Sequence, residues 1–237
     1  MRVVMIGMGG VGSILLIMIA QYLNTLDEEV KLILIDGDSY EQKNAKRQIF
    51  HRLGNKAEVQ RQDYMERFPQ LKIDAKPYYV NADNLYLFLE NGDYVFMMVD
   101  NYPTRKMVSD YCKTLSDVVM FSGGNDLTDG DTSVSVRVSG KDVTPPLDFI
   151  APEIANPQGK HPDEMSCEEL ASSGTLQIMP TNAMVAVNMF CDFWYFTTQF
   201  PTQDTKYHEK RFSLMNGRTE IYDRRKLYHI MKKQEGR

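Results

Sequence analysis

An α/β fold is predicted, Rossmann-like and doubly wound: a mostly parallel sheet with helices on both faces and an antiparallel extension. Three observations predict it. Short apolar runs alternate with longer helix-like stretches over the first half of the chain, as in a parallel sheet covered on both faces. The first run, Val3 to Ile6, passes straight into a glycine loop, Gly7-Met8-Gly9-Gly10-Val11-Gly12. Later the pattern becomes a strict alternation, with Val134, Val136 and Val138 set against Ser133, Ser135 and Arg137, which marks a strand with one wet face.

Taken in order, Val3 to Ile6 is the first strand and the glycine loop opens a helix over Val11 to Asn24. Gly7 suits a tight turn, Gly9 a close backbone approach to phosphate, and Gly12 close packing of helix on strand. Free N–H groups at that helix start suit an anion. Arg2 and the apolar run to Leu23 share features with a signal peptide or membrane span. Four glycines interrupt the run, however, Ser13 to Leu23 is about half the roughly 20 residues a span needs, and no small-residue cleavage site follows. A buried first helix is expected instead.

Val30 to Ile35 is the second strand and ends in Asp36, at the separation where dinucleotide folds bind a ribose hydroxyl. A helix over Lys56 to Phe68, a strand over Ile73 to Val80 and a helix over Ala82 to Glu90 follow. Next come a strand at Tyr94 to Val99, a helix at Pro103 to Leu115 and a strand at Val118 to Phe121. Pro103 suits a first helical turn, where no N–H is required. Thr132 to Val143 belongs to an antiparallel part of the sheet. Residues 145 to 177 read as a long crossing segment with a short helix at Asp163 to Ala171. Ile178 to Phe196 is an apolar helix, core rather than membrane because Asn182, Asn188 and Asp192 interrupt it. A hairpin through Met215-Asn216-Gly217 and a helix from Asp223 close the chain. Residues 1–198 are expected to form one nucleotide-binding domain and residues 199–237 a C-terminal extension.

The 237 residues carry a net charge of −5, so no overall positive field favours nucleic acid or an anionic membrane surface, and neither partner is expected. Three cysteines without a C-x-x-C pair argue against a disulfide framework and a four-cysteine zinc site, and a reducing cytoplasm is the expected compartment.

A glycine loop alone fits NAD, flavin and ATP folds alike. More specific is Leu34-Ile35-Asp36-Gly37-Asp38, then Asn44, then Arg47-Gln48, because a dehydrogenase needs only the single ribose acid. With Leu53-Gly54-Asn55-Lys56-Ala57-Glu58 and Met98-Val99-Asp100-Asn101-Tyr102-Pro103-Thr104-Arg105, this string closely resembles the ubiquitin-activating superfamily. The nearest members are its bacterial branch, the ThiF/MoeB/HesA-type adenylyltransferases that activate sulfur-carrier proteins. The resemblance covers residues 1 to 140 well and 165 to 198 loosely, and the last forty residues match nothing.

The resemblance implies that the C-terminal carboxylate of a small ubiquitin-like protein attacks the α-phosphate of ATP, giving an acyl adenylate and pyrophosphate. Such chemistry needs charge neutralisation more than acid-base work. By resemblance, Arg47 and Lys56 contact phosphates, Asp100 holds Mg2+, Asp36 takes the ribose and Asn44 contacts ATP. Gly7, Gly9, Gly10 and Gly12 line the pocket. Asp38 and Gln48 fall within the same binding segment, Asp38 orienting the loop or facing water and Gln48 ordering the turn. Arg105 is expected on a helix surface. Ser122-Gly123-Gly124 and the antiparallel strands after them would cradle the substrate tail, either the glycine-rich end of a carrier protein or a short peptide. The family usually forms a homodimer.

Cys167 lies where relatives carry a cysteine, and would serve as a nucleophile if an acyl group passes to a thiol. Its neighbours Glu164, Glu168 and Glu169 disfavour a thiolate. Cys112 and Cys191 are expected as buried packing residues, and His51 and His161 as surface or structural ones. Two departures stand out. Arg47 and Lys56 are one residue closer than usual, and the N-terminal helix by which relatives lend an arginine to the neighbouring subunit has no counterpart ahead of Val3. A degenerate nucleotide-binding adaptor and an NAD(P)-dependent oxidoreductase are the rival readings.

Overall fold

The computed structural model describes residues 1–46, 48–162, 178–199 and 208–235. β1 (Arg2–Ile6) lies inside the sheet because it is apolar on both faces: Val3 and Met5 enter one core, Val4 and Ile6 the other. α1 (Gly10–Leu23) and β2 (Lys31–Ile35) follow, and β2 divides its side chains between the cores in the same way. Two short strands, β3 (Ser39–Tyr40) and β4 (Gly54–Asn55), pair antiparallel and flank a 3-10 turn over Gln42–Lys46. Asn55 caps α2 (Lys56–Arg67), its side chain accepting from the Glu58 N–H, and Glu58 complements the helix dipole.

β5 (Lys72–Lys76) is shorter than the expected run to Val80, because Pro77 has no N–H for a ladder. The expected helix over Ala82 to Glu90 contracts to one turn, α3 (Leu85–Phe88). Asparagine side chains compete with the helix there: Asn84 Oδ1 accepts from Asn81 N–H, and Asn81 Oδ1 from Asp83 N–H. β6 (Asp93–Met97) and α4 (Tyr102–Cys112) come next, Pro103 in the first turn of α4 and Asn101 capping it. β7 (Val118–Asn125) runs four residues further than expected and pairs with β8 (Asp129–Val138) up to Asn125 and Gly130. The expected wet face of β8 is in part covered: Ser133 is buried, and α5 (Leu147–Ile150) packs against that strand after the short β9 (Lys141–Asp142).

The remaining elements are α6 (Pro152–Ala155), α7 (Met179–Thr198), β10 (Glu209–Ser213), β11 (Arg218–Tyr222) and α8 (Arg225–Glu235). The expected helix at Asp163 to Ala171 lies outside the described residues. Among the described residues the main sheet runs β11-β10-β8-β7-β6-β1-β2-β5, with β9 pairing to β8. β5, β2, β1, β6 and β7 are parallel, and the pairs β7–β8, β8–β10 and β10–β11 are antiparallel. β10 and β11 thus extend the same sheet. α1 and α7 cover one face, where Phe193 meets Tyr22, Tyr94, Phe96 and Phe121 with ring centroids 5.2 to 5.8 Å apart. Asp192, one of the polar interruptions of α7, is buried and paired to Lys210 of β10 at 2.6 Å. Cys112 is buried as expected. Cys191 is exposed, because the helical period of the buried positions Val185, Ala186, Met189, Asp192 and Phe193 leaves it outside.

α8 is anchored through Asp142, which accepts from Tyr228 Oη and Lys232 Nζ and also pairs with Arg137. Partial burial pushes the Asp142 carboxyl up, but these donors outweigh it and hold it below the ordinary 3.8. A carboxyl depressed in the folded state stabilises fully above its unfolded pKa and loses that contribution as pH falls through the folded value. Acidification below about pH 4 is therefore expected to loosen α8, followed by near-ultraviolet circular dichroism. Asp142→Asn is expected to flatten this acid limb; an unchanged limb contradicts the anchoring role.

Candidate nucleotide site

The strand order changes direction at β1: the chain moves from β1 to β2 and β5 on one side, then crosses to β6 on the other. Ligands of doubly wound sheets sit at this switch point, beyond the carboxyl ends of the strands. The loop after β1 is shaped for it. Gly7 has φ +97°, and a side chain there would press on the Met98 carbonyl just beyond β6. A Cβ on Gly12 would stand 2.0 Å from the Gly7 carbonyl oxygen, so only glycine lets α1 pack against its own loop. Gly9 precedes α1 with no side-chain cap on the helix. The first-turn N–H groups therefore face the cleft without an intrahelical partner.

Asp36 closes β2. Its carboxylate accepts from Met8 N–H at 2.6 Å and Asp38 N–H at 2.8 Å, which ties the glycine loop to the second strand. Burial pushes this carboxyl up from 3.8, with Asp38 adding to the effect and Lys56 opposing it. Each oxygen keeps a free lone pair for a ribose hydroxyl. Lys56, the first residue of α2, is buried and places Nζ 2.8 Å from Asp38 Oδ2. Burial works against its charge, yet Asp36, Asp38 and Asp100 together raise its pKa above 10.5. The Asp38 carboxyl is held low: burial pushes it up, and Lys56 and the Tyr79 hydroxyl override that. Asp38 is thus exposed to solvent and at the same time the partner that orients Lys56.

Asn44 accepts from Glu41 N–H through Oδ1 at 2.8 Å and its carbonyl takes Gln48 N–H, so it shapes the 3-10 turn at the edge of the cleft. Gln48 is buried, lines the cleft, and leaves Oε1 without a hydrogen bond to a described residue. Ile49 N–H binds Ser13 Oγ on α1, and Tyr40 Oη reaches the Met8 carbonyl. Arg47 and Cys167 lie outside the described residues. Asp100 is exposed just beyond β6 and lines the same cleft. Among the described residues no group of three His, Cys, Asp or Glu side chains is placed to hold a metal. A lone carboxylate fits Mg2+, which commonly takes one or two protein carboxylates and completes its shell with phosphate oxygens and water.

Arg105 is a correction. Rather than lying on a helix surface it is buried beneath the cleft, where Nε donates to the Val99 carbonyl, NH1 to Ser122 Oγ and NH2 to the Gly123 carbonyl. It joins the ends of β6 and β7. Its spacing to Val108, Ser109 and Cys112 places it on the buried face of α4, a periodicity present in the sequence. Arg105→Met leaves two carbonyls without their charged donor, and urea denaturation is expected to show a loss of about 3 kcal/mol. A loss below about 1 kcal/mol contradicts that role. Tyr79 is the other residue the sequence reading missed. Its ring packs on Gly37, and nothing in the local pattern marks it.

The cleft occupies about 1460 Å³ and continues from the glycine loop past Gly123 and Gly124 to Asp131, Arg211 and Arg218 on the antiparallel extension. The doubly wound sheet thus has its cleft at the switch point, where this α/β architecture takes its ligands. The ThiF family model matches residues 1–234, and the chain belongs to that family. Solved structures share the fold. E. coli MccB with ATP is 18% identical with a TM-score of 0.69, over 94% of this chain and 63% of that one. MccB, the microcin C7 biosynthetic enzyme, in complex with N-formylated MccA is 19% identical with a TM-score of 0.72, over 94% and 64%. PaaA is 16% identical with a TM-score of 0.69, over 94% and 63%. The chain thus spans just under two thirds of the length of these structures. No curated protein matches it. Among the described residues no helix is long and apolar enough to cross a membrane.

Proposed function

We propose that this chain is an ATP- and Mg2+-dependent adenylyltransferase that activates the C-terminal carboxylate of a peptide or of a small ubiquitin-like or sulfur-carrier protein. One continuous cleft carries this reading. Its volume exceeds the roughly 300 to 1,000 Å³ of an ordinary small-molecule pocket, leaving room for a second substrate beside the nucleotide. In the proposed reaction a substrate carboxylate oxygen forms a bond to the α-phosphorus as the bridge to the β-phosphate breaks. Pyrophosphate leaves with the electron pair, and an acyl adenylate remains.

The protein's part is positioning and charge. Asp36 takes the ribose, and the first-turn N–H groups of α1 hold phosphate oxygens. Lys56, held by Asp38, offers its remaining N–H donors to the triphosphate, and Gln48 Oε1 finds a donor. Asp100 would hold Mg2+, whose charge would offset the repulsion between a carboxylate and a triphosphate. Ser122, Gly123 and Gly124 sit beside the antiparallel strands that would receive the substrate tail. MccB structures hold ATP or N-formylated MccA, which supports a nucleotide and a second substrate on this fold. Exposed Met184, Val187 and Trp194 on α7 support a homodimer, and the free Cys112 and Cys191 fit a reducing cytoplasm.

An NAD(P)-dependent oxidoreductase would leave Lys56 and Asp100 without a joint purpose, and a nucleotide-binding adaptor would bind without turnover. Calorimetric titration with ATP and with NAD+ tests the nucleotide. ATP binding that strengthens with Mg2+ and weakens in Asp100→Ala is expected. Tighter binding of NAD+ than of ATP overturns the proposal.

A further inference from the structure

Beyond the nucleotide, the floor of the cleft is the face of the antiparallel extension. Its register places residues in rows across the strands. Gly124 pairs with Asp131, Asp131 with Arg211, and Arg211 with Glu220, while Asp129 pairs with Ser213 and Ser213 with Arg218. β7 and β8 have sheet partners on both edges, so a bound polypeptide is read here by side chains and not by strand addition.

The charges on this floor do not balance. Arg105 is engaged by Val99, Ser122 and Gly123, and Arg211 and Arg224 both pair with Glu209 at 2.6 and 2.7 Å. Asp126, Asp129 and Asp131 all line the cleft, and none of them forms an ion pair with a described residue. Arg218, exposed on β11, is a cation two strands beyond Asp131. Asp131 is distinct in being half-buried, where Asp126 and Asp129 are exposed, and in accepting no hydrogen bond from a described residue. Burial pushes its carboxyl up from 3.8 against the charges of Arg105 and Arg211, with Glu209 and Glu153 adding to the rise. A cation supplied from outside would pair with this partly desolvated carboxylate, which faces the cleft without a partner of its own among the described residues.

We propose that Asp131 is a specificity-determining residue for the acyl substrate, selecting tails with a basic side chain close to the reacting carboxylate. The spacing follows from the sheet. β8 lies two strands from β6, which ends beside Asp100, a separation of about 10 Å that an extended tail covers in about three residues. The inference rests on the adenylation reading and adds to it the chemical class of the tail.

The test uses three synthetic peptides with free C-terminal carboxylates, identical except for Lys, Gln or Glu about three residues before the end. Binding is read by fluorescence anisotropy with Mg2+ and a non-hydrolysable ATP analogue, and ATP affinity is measured on the same samples. The Lys peptide is expected to bind at least about tenfold tighter than the Glu peptide. Asp131→Asn should reduce that ratio to less than about threefold, and Asp131→Lys should reverse it. Melting temperatures establish that both variants fold, and Asp131→Asn carries the test should the lysine variant not fold. Equal binding of the three peptides, no binding of any, or a preference unchanged in Asp131→Asn overturns the proposal. If ATP still binds in those cases, the subsite fails alone; if ATP does not bind either, the adenylation reading fails with it.

Discussion

Replacing Lys56 by alanine is expected to lower substrate-dependent ATP–pyrophosphate exchange by a factor of about 10² to 10³, the usual cost of losing one preorganised charge at a reacting centre. Lys56 is buried at the start of α2, with Asp36, Asp38 and Asp100 all raising its pKa. It therefore stays a cation at any physiological pH and cannot act as a base. Its contribution is a fixed positive charge beside the glycine loop, which matters most when two anionic reactants meet. Asp38 holds Nζ at 2.8 Å and is itself held by Tyr79, so the ammonium is oriented before nucleotide arrives. Asp38→Asn is accordingly expected to impair the same exchange less than Lys56→Ala does. Exchange in Lys56→Ala within about threefold of the parent protein, with the melting temperature unchanged, contradicts the assigned role.

Gly12→Ala is expected to cost about 4 kcal/mol or more of stability, a loss typical only of substitutions with a specific steric cause. The added Cβ would meet the Gly7 carbonyl oxygen at 2.0 Å and the Gly7 carbonyl carbon at 3.0 Å. Both are backbone atoms of the loop that must stay in place, since Gly7 N–H binds the Ile35 carbonyl and Met8 N–H binds Asp36. Relief requires α1 to move away from β1, opening the core around Leu15, Leu16 and Ile19, all fully buried. Gly92→Ala is the contrast. Nothing lies within 4 Å of its Cβ, so only its φ of +88° resists substitution and a smaller loss is expected. Urea denaturation of both variants checks the pair. A loss for Gly12→Ala no larger than for Gly92→Ala means the loop has more freedom than its geometry shows.

Much of the parallel half was legible because its central strands are buried on both faces and read as unbroken apolar runs, as Val3 to Ile6 and Leu32 to Ile35 do. The glycine loop and Asp36 were legible because their spacing is fixed by backbone geometry. Less local features were not. Whether α3 forms one turn or two depends on Asn81 and Asn84 closing a side-chain turn, a competition that helix propensity does not express. Arg105 was misplaced because a charged residue is expected in water, although its spacing to Val108 and Cys112 marked the buried face. The pairing of Lys56 with Asp38 and Tyr79, and the row through Asp131 and Arg211, arise from residues brought together only by the sheet and its register. No short window of sequence holds that information.

Adenylation at this cleft is tested most directly by ATP–pyrophosphate exchange with purified protein, Mg2+ and a set of candidate substrates, glycine-tailed carrier proteins and short peptides with free carboxylates. The account predicts exchange that requires both a substrate carboxylate and Mg2+, and that is abolished in Asp100→Ala. Exchange that persists in Asp100→Ala, or none with any substrate while NAD+ binds tightly, would contradict it.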